Sequence, residues 1–412
     1  MIMTQEYVRS LFPSLSERVY GKPLVYFDNA ATSQRPSAVM ELEKKIYTEA
    51  NANVHRAMHK LSVDATDYYE KGREAVENFI NADKEKGCVI FTSGATASFN
   101  LLATCFSERY LKKGDKVLIT EAEHHSNIVS WQIACARCGA GIAVLPVDGR
   151  GQISLEQYAG MLDGSVKLVS VAHVPNVLGV VNPVKEMIEM AHAKGIPVAV
   201  DGAQGIVHSK VDVKDMDCDF YIFSGHKIYA PCGTGILYGK REYLDEMPPF
   251  MGGGDMVDTV SFERTTYAEL PLKYEAGTPN FVGQACFAPA LELAAAMRDD
   301  GNIQILQREL TEYMLEKLLA VDGLHLWGNP RRIEEKAPVF SFTVDGTHPS
   351  DIAQILDKTG IAVRSGLMCA EPLVKKFSQV GMLRASLLPY NTRDEIDYFI
   401  KNLTRVITML KQ

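Results

Sequence analysis

The chain has 412 residues, of which 46% are hydrophobic and 23% are charged. This composition is ordinary for a soluble globular protein, and the length indicates two or more domains. The formal net charge of -8 argues against nucleic acid or an anionic membrane as the main partner.

The N-terminus, MIMTQEYVRS, lacks the basic lead-in and apolar core of a secretory signal. No apolar run is long enough to predict a membrane span. The eight cysteines are spread through the chain rather than clustered as in a small disulfide-bonded domain. We therefore expect a reducing, cytoplasmic setting in which thiols stay free for chemistry.

The N-terminal quarter of the chain predicts three helices and one strand. Residues 4–20 are expected to form a short helix that ends near Gly21, and PLVYFDNAA predicts a strand that runs into a loop. RPSAVMELEKKIYTEA predicts a helix with Pro36 near its first turn, and VDATDYYEKGREAVENFIN has apolar residues at helical spacing.

From residue 88 onward, short apolar runs alternate with helical segments. The predicted strands are CVIFT, KVLIT, GIAVLPV, VKLVSVAHV, IPVAVDGAQ, CDFYIFSGHK and GTGILYG. This alternation predicts a mostly parallel sheet, whose strands are continuously apolar because helices cover both faces. Residues 241–285 are expected to be irregular, a long helix is expected from about 286, and VFSFTV predicts a strand. The domain prediction is a large α/β domain over 25–290 and a small α+β domain made of 1–24 and 291–412.

Polar residues follow five of the predicted strands. They are SGAT (93–96), EHH (123–125), Asn176, Asp201 with Gln204, and Ser224 with His226 and Lys227. In an open α/β sheet, ligands bind beyond the carboxyl ends of the strands. This edge of the sheet is therefore predicted to bind a ligand.

Each of these groups has a simpler interpretation when it is taken alone. SGAT is either a plain helix cap or an anion cradle made by free N–H groups. Asp201 is either a strand terminator or a functional carboxylate, and a single Lys227 would more often be a solvated charge. His124 and His125 lack the usual spacing of metal ligands, so no metal is expected.

Taken together, the groups meet the requirements of pyridoxal 5'-phosphate. This cofactor needs a lysine for a Schiff base, a carboxylate that keeps its pyridine nitrogen protonated, and a phosphate site. Asp201 precedes Lys227 by about one βαβ unit, so neighbouring strand ends would bring both to one ring. Lys227 is thus explained as the attachment point of the cofactor.

Motifs from residue 26 to residue 392 carry a family resemblance. They are YFDNAATSQRP (26–36), NVHRAMHKLS (53–62), EAEHHSNIVSWQ (121–132), NVLGVVNPV (176–184), VDGAQ (200–204), SGHKIYAPCGTGILYG (224–239), GGGDM (252–256), YEAGTPN (274–280), VRSGLMCAEPL (363–373) and LRASLLPYNT (383–392). They resemble the group II cysteine desulfurases of the class V aminotransferase family. The resemblance implies the fold of fold-type I PLP enzymes, with a mostly parallel seven-stranded sheet between helices and a smaller α+β domain.

The resemblance also implies a role for each matching residue around the cofactor. Lys227 would carry the Schiff base, and His124 would stack on the ring. Asp201 would pair with the pyridine nitrogen, and Gln204 with the ring hydroxyl. The phosphate and ring would be held further by Ala95, Thr96, Asn176, Ser224 and His226, and by Thr278 from the other subunit of a homodimer.

For the substrate, the resemblance implies L-cysteine. Asn29, Asn176 and Arg384 would face its carboxylate side, with Arg364 assisting. Cys369 would take the sulfur as a persulfide and pass it to a sulfur-acceptor protein, with iron–sulfur cluster assembly as the expected pathway.

Two cysteine assignments have alternatives. Cys369 could be a buried structural cysteine, although its loop between Gly366 and Pro372 favours exposure. CARC at 135–138 lies in a helical stretch and is expected to pack there rather than bind zinc.

The chain departs from the usual pattern of the branch at three places. Leu367 and Met368 replace two histidines before the cysteine, Ala97 replaces an acidic residue, and Pro175 replaces a small polar residue. The first departure leaves thiolate tuning, substrate choice and acceptor docking open.

Two other function classes stay open. One is a selenocysteine lyase, a cysteine sulfinate lyase or an aminotransferase on the same fold, and the other is a non-enzymatic cofactor-binding scaffold. A dinucleotide enzyme is disfavoured because no G-x-G-x-x-G follows the first strand of a βαβ unit.

Overall fold

The structure is a computed structural model that describes residues 3–328 and 332–412. Residues 1–2 and 329–331, which fall in the predicted small domain, lie outside the described residues. No helix in the described ranges is both long and apolar enough to cross a membrane.

The strands are short, and those of the large sheet have four to seven residues. In chain order they are β1 (Arg18–Val19), β2 (Lys22–Pro23), β3 (Val25–Tyr26), β4 (Gly87–Thr92), β5 (Lys116–Thr120), β6 (Gly141–Leu145), β7 (Val166–Ala172), β8 (Val198–Asp201), β9 (Phe220–Ser224), β10 (Gly235–Lys240), β11 (Val257–Val260), β12 (Thr265–Tyr267), β13 (Leu324–Trp327), β14 (Val339–Val344), β15 (Ile361–Ala362), β16 (Arg364–Gly366) and β17 (Met382–Ser386).

The helices alternate with these strands through the middle of the chain. They are α1 (Gln5–Ser10), α2 (Ser37–Glu49), α3 (Lys60–Phe79), α4 (Ala95–Tyr110), α5 (His125–Cys138), α6 (Leu155–Met161), α7 (Val184–His192), α8 (Gly205–His208), α9 (Val213–Met216), α10 (Arg241–Glu246), α11 (Phe281–Ala285), α12 (Phe287–Asp299), α13 (Gly301–Leu319), α14 (Pro349–Asp357), α15 (Glu371–Phe377) and α16 (Arg393–Leu410).

A seven-stranded sheet forms the centre of the fold, in the order β4-β10-β9-β8-β7-β5-β6. β5, β6, β7, β8 and β9 pair in parallel, whereas β10 pairs antiparallel with both β4 and β9. The prediction of a mostly parallel sheet built from these seven segments is confirmed. The carboxyl ends of the parallel strands meet at one edge.

Helices cover both faces of this sheet, which explains its continuously apolar strands. Consecutive strand residues point to opposite faces, so Val89 packs in one buried cluster and Ile90 in the other. On one face α4 and α5 supply side chains such as Phe99 and Trp131, and on the other α3 supplies Tyr69 and Val76. A rigid two-sided core therefore fixes the strand ends that carry the polar residues.

A second, four-stranded antiparallel sheet in the order β13-β14-β17-β16 lies in the C-terminal part. Its core, with α13, α14 and α16, also takes Val25 and Phe27 from the N-terminal part. Val8 and Phe12, by contrast, pack in the core of the large sheet. The boundaries 1–24, 25–290 and 291–412 stay a prediction.

Two local predictions were wrong. The N-terminal helix ends at Ser10 rather than near Gly21, and a 3-10 turn at Pro13–Ser16 follows it. Pro13 has no N–H to donate and its ring would clash with a carbonyl one turn back, so an α-helix cannot run through it. Residues 241–285 are irregular only in part, at segments such as 247–256, because α10, the β11–β12 hairpin and α11 also lie there. That hairpin is largely exposed, so its strands lack the apolar pattern used to predict strands.

Gly235 allows β10 to lie against the loop before α4, and its replacement tests this close approach. A methyl group at Gly235 would lie 2.3 Å from the backbone of Gly94. We expect Gly235→Ala to lower the free energy of unfolding by about 2 kcal/mol, because the backbone must shift. Urea denaturation measures the change. Gly141→Ala is the matched control, since a methyl group there meets nothing within 4 Å. Equal stability losses in the two variants would contradict the prediction.

Candidate active site

A cleft opens where the carboxyl ends of the parallel strands meet the C-terminal sheet. Its lining residues are Ala30, Ala31, Ala95, Thr96, His124, Ser126, Asn176, Asp201, Ala203, Ser224, His226, Lys227, Arg364, Met368, Cys369 and Arg384. The structure thus brings most of the predicted site residues together. Gln204, Asn29 and Thr278 are the predicted residues that do not line it.

Lys227 stands in a 3-10 turn, Gly225–Lys227, directly after β9. The turn needs a glycine at 225, because a Cβ atom there would lie 2.2 Å from Thr234 Oγ1. Burial lowers the pKa of the Lys227 amine, although the Asp201 carboxylate acts in the opposite direction. The amine is therefore shifted towards the neutral, nucleophilic form.

Asp201 ends β8 and is 5% exposed. Burial raises its pKa, and the Lys227 charge counteracts that effect. One of its oxygens accepts a 2.9 Å hydrogen bond from the Ala203 N–H. A bound cation such as a protonated ring nitrogen would favour the ionised carboxylate.

His124 is the N-cap of α5 and is held as a neutral ring. Its Nδ1 accepts a 3.1 Å hydrogen bond from the Ser126 N–H and lies 2.8 Å from Ser126 Oγ. Burial, followed by the Lys227 charge, lowers the pKa of His124 to about 3. Ser126 was not among the predicted site residues, although a small hydroxyl residue two positions after a capping histidine is a sequence signal for such a contact.

The loop before α4 leaves donors free at the start of a long helix. Gly94 precedes it with φ 147° and has no side chain that could cap the helix. The Ala95 N–H donates a 2.8 Å hydrogen bond to Ser224 Oγ, which joins this loop to the end of β9. Thr96 is exposed in the first turn. Because the N-cap residue Gly94 offers no side-chain acceptor to the first turn, this loop favours the anion-cradle interpretation of SGAT.

Arg384 is buried at the other side of the cleft, on β17. Its Nη1 donates to the Asn176 carbonyl at 2.9 Å, and its Nη2 to Asp28 Oδ1 at 3.2 Å. The exposed Arg364 places Nη1 3.9 Å from the other Asp28 oxygen. Burial lowers the pKa of Arg384, against the effect of Asp28. Asp28 was missed because an acid after a strand carries no sequence signal of its distant arginine partners.

Two buried polar atoms, one of Arg384 and one of its neighbour Asn176, have no hydrogen-bond partner among the described residues. They are Asn176 Oδ1 and Arg384 Nε. The Asn176 amide nitrogen, by contrast, donates to the Met368 carbonyl at 2.8 Å. Because buried polar groups are nearly always hydrogen-bonded, an acceptor and a donor left open in one cleft indicate a ligand with complementary polar groups.

Cys369 is exposed and lines the cleft, although Met368 and Ala370 beside it are buried, so the alternative of a buried structural cysteine is wrong. Met368 and Cys369 have left-handed backbone angles, φ 51° and 54°. Cys135 and Cys138 lie in α5, where their Sγ atoms contact backbone carbonyls at 3.6 Å, as expected for packing.

Three predicted residues lie outside the cleft lining. The Asn29 amide donates to the Ser386 carbonyl at 2.7 Å, and its Oδ1 accepts from Tyr390. The Gln204 amide donates to the Ala30 carbonyl at 2.7 Å. Thr278 is exposed and does not reach the cleft of its own chain. The Asn29 side chain would have to give up these bonds to contact a substrate.

The residues of the cleft fit pyridoxal phosphate. A lysine amine of lowered pKa, a buried carboxylate, a neutral imidazole and an uncapped helix start match its aldehyde, ring nitrogen, ring face and phosphate. The open Asn176 Oδ1 also gives the ring hydroxyl an acceptor.

Comparisons with known proteins agree with this geometry. Residues 25–399 match the family described as aminotransferase class V. The chain is 43% identical to a cysteine desulfurase of Cronobacter sakazakii over 411 residues, with 100% of each chain covered. A cysteine desulfurase of Thermococcus onnurineus NA1 has a TM-score of 0.93 at 35% identity, with 99% of each chain covered. For the cysteine desulfurase CsdA of Escherichia coli, the TM-score is 0.90 at 34% identity, with 99% of this chain and 100% of that chain covered. These similarities confirm the predicted fold class.

The neutral state of His124 predicts how stability depends on pH. Its pKa falls from 6.5 in the unfolded chain to about 3, so the unfolded state binds the proton first as the pH decreases. Stability is therefore lost as the pH falls below about 6.5. We expect His124→Asn, which keeps a capping acceptor, to reduce the loss between about pH 6.5 and about pH 5 by about 1 kcal/mol. Urea unfolding at both pH values checks this, with exposed His325→Asn as the control. An unchanged loss in His124→Asn would refute it.

Proposed function

The chain belongs to the aminotransferase class V family, and we propose that its cleft transfers the sulfur of L-cysteine to Cys369 and releases L-alanine. The protein is a PLP-dependent cysteine desulfurase, as its full-length similarity to cysteine desulfurases shows. The roles of the individual residues are our proposal. The observation that carries it is an exposed thiol that lines the same cleft as a half-buried lysine and a buried arginine.

Binding begins with the substrate carboxylate. Arg384 has an unpartnered Nε in the cleft, and its two other nitrogens are held by the Asn176 carbonyl and Asp28. This fixed guanidinium orients the amino acid before reaction, which reduces the entropy cost of the later steps. Arg364, more exposed, adds positive charge at the entrance.

Groups from several strand ends would hold the cofactor. Lys227 would bind its aldehyde carbon, Asp201 its ring nitrogen, and Ala95, Thr96, Ser224 and His226 its phosphate. When bound, pyridoxal phosphate supplies the electron sink that makes the bonds at the substrate Cα and Cβ reactive. The lowered pKa of Lys227 lets its amine act as a base that takes the Cα proton.

Sulfur transfer takes place at Cys369. Its thiolate Sγ forms an S–S bond with the substrate sulfur, and the substrate Cβ–S bond breaks. The electron pair of the broken bond goes to the carbon side and a proton replaces the sulfur there. The sum is one thiol and L-cysteine giving one persulfide and L-alanine, with no external oxidant or reductant.

A homodimer completes the site in our proposal. Thr278 is exposed and outside its own cleft, where it is available to the phosphate of a second copy. The apolar side chains of Phe262, on the β11–β12 hairpin, and of Met58 are fully exposed in the single chain. Exposed apolar side chains of this kind favour burial against another chain.

The fate of the sulfur and the setting of the reaction are also proposals. A persulfide on the exposed Cys369 would be accessible to a sulfur-acceptor protein, and iron–sulfur cluster assembly stays a prediction. We place the reaction in the cytoplasm, where a reactive thiol stays reduced. L-Selenocysteine is the competing substrate that the experiments below include.

Lys227 and Cys369 are expected to separate cofactor binding from sulfur transfer. Lys227→Ala should abolish the visible absorbance of the bound cofactor and, with it, turnover. Cys369→Ser should keep that absorbance but reduce alanine formation from L-cysteine by at least about 100-fold, because no thiol accepts the sulfur. The matched control is Cys232→Ser, which removes another exposed thiol. Full turnover of L-cysteine by Cys369→Ser would refute the role of that thiol, and turnover of L-selenocysteine alone would indicate a lyase.

Hybrid dimers test whether Thr278 acts across the interface. Thr278→Asp should abolish cofactor retention, because a carboxylate repels the phosphate. Refolding an equal mixture of Thr278→Asp and Lys227→Ala chains should restore about a quarter of the wild-type activity, since half of the dimers carry one intact site. Mixing without refolding is the control. No recovery, together with stable wild-type monomers in sedimentation, would refute the proposal.

A further inference from the structure

The loop that carries Cys369 is bonded at two points to one residue of the large sheet domain. We call residues 367–371 the thiol loop. The His125 backbone N–H donates to the Cys369 carbonyl at 2.7 Å. The Glu371 backbone N–H donates to His125 Nε2 at 2.9 Å. A single histidine therefore holds the loop immediately at the thiol residue and two residues beyond it.

Helix geometry explains why His125 has a donor to offer. It is the first residue of α5, and the N–H groups of a first helical turn have no partner within the helix. Its Nε2 accepts the hydrogen bond from the Glu371 N–H, so Nε2 carries no hydrogen and the ring carries its hydrogen on Nδ1. The two ends of one residue thus make complementary bonds to the thiol loop.

The thiol loop needs such support for two reasons. It follows β16 of the C-terminal sheet, whereas the lysine and the imidazole of the cleft belong to the large sheet. In addition, Met368 and Cys369 both have positive φ, a backbone state that costs free energy and persists only where the surroundings impose it. Packing of Met368 and its 2.8 Å bond from the Asn176 amide hold the loop before the thiol, and the bonds to α5 hold it at the thiol and after it.

We propose that His125 is a positioning residue for the nucleophile, an inference that rests on the proposed function of Cys369. Because the carbonyl of Cys369 and the N–H of Glu371 are both held, the backbone of the loop is fixed and only the thiol side chain turns. The thiol reaches into the cleft to take sulfur and outwards to deliver it. The two neighbouring histidines thus have different roles. His124 lines the cofactor cleft, and His125 holds the thiol loop.

A pair of substitutions isolates the side-chain bond. His125→Gln places an amide oxygen near the position of Nε2 and keeps an acceptor for Glu371, whereas the shorter His125→Asn does not reach. His125→Leu, which keeps the volume without an acceptor, replaces the Asn variant should that variant fail to fold. Exposed His325→Asn is the control for a histidine far from the cleft.

Three readouts are taken on the holoprotein. We expect His125→Asn to slow persulfide formation on Cys369 by about tenfold or more, because a misplaced nucleophile loses its orientation. The change in cofactor absorbance on adding L-cysteine should keep its midpoint within about twofold, since the substrate contacts are intact. Iodoacetamide alkylation of Cys369, followed by mass spectrometry, should become about fivefold faster relative to Cys232, because the loop opens. His125→Gln should restore both rates to within about threefold of wild type.

Several results would overturn the inference. Wild-type persulfide and alkylation rates in His125→Asn would show that the bond does not position the thiol. Equal losses in the Asn and Gln variants would show that the acceptor is not what matters. A parallel loss of L-cysteine binding would place the effect at the cofactor instead. The alkylation comparison needs no turnover, so it decides the role of His125 even where Cys369→Ser keeps activity and the proposed function fails.

Discussion

The chemistry of this protein depends on the burial of one amine at the end of β9. A lysine in water is a protonated cation, whereas burial of Lys227 lowers its pKa against the opposing charge of Asp201. The strand ends of a two-sided sheet make that burial possible, because the core on both faces fixes the turn at 225–227. Burial also raises the pKa of Asp201. The cleft therefore favours a ligand that reacts with the Lys227 amine and carries a positive charge next to the Asp201 carboxylate.

The cost of this arrangement is visible in the cleft itself. Asn176 Oδ1 and Arg384 Nε are buried without partners among the described residues, and Met368 and Cys369 have strained backbone angles. Such features lower the stability of the protein without ligands and are offset when cofactor and substrate bind. The cleft therefore lowers the free energy of unfolding of the ligand-free protein. The packed cores on both faces of the large sheet offset that loss.

The large sheet and most of the cleft were predictable from the sequence, since the strands are continuous apolar runs and five of them are followed by polar residues. Lys227, Asp201 and His124 were found this way because strand ends converge by topology. Local patterns could not reveal Asp28, whose partners lie some 340 to 360 positions later, or the exposed β11–β12 hairpin. The hydrogen bonds of the Asn29 side chain to Ser386 and Tyr390 could not be predicted either, because these partners are also distant in sequence.

The Leu367–Met368 pair shows how the loop geometry is kept where the chain departs from the usual pattern of its branch. Met368 is 7% exposed and packs in a buried cluster with Val177, Ala370 and Met382, and Leu367 packs against its edge. Apolar packing therefore holds the N-terminal side of the thiol loop, and hydrogen bonds to His125 hold the C-terminal side. Since side chains at these two positions are used for packing, they offer no proton donor or acceptor to the sulfur. Sulfur transfer in this protein then relies on where the thiol is held, with polar chemistry supplied from the large sheet across the cleft.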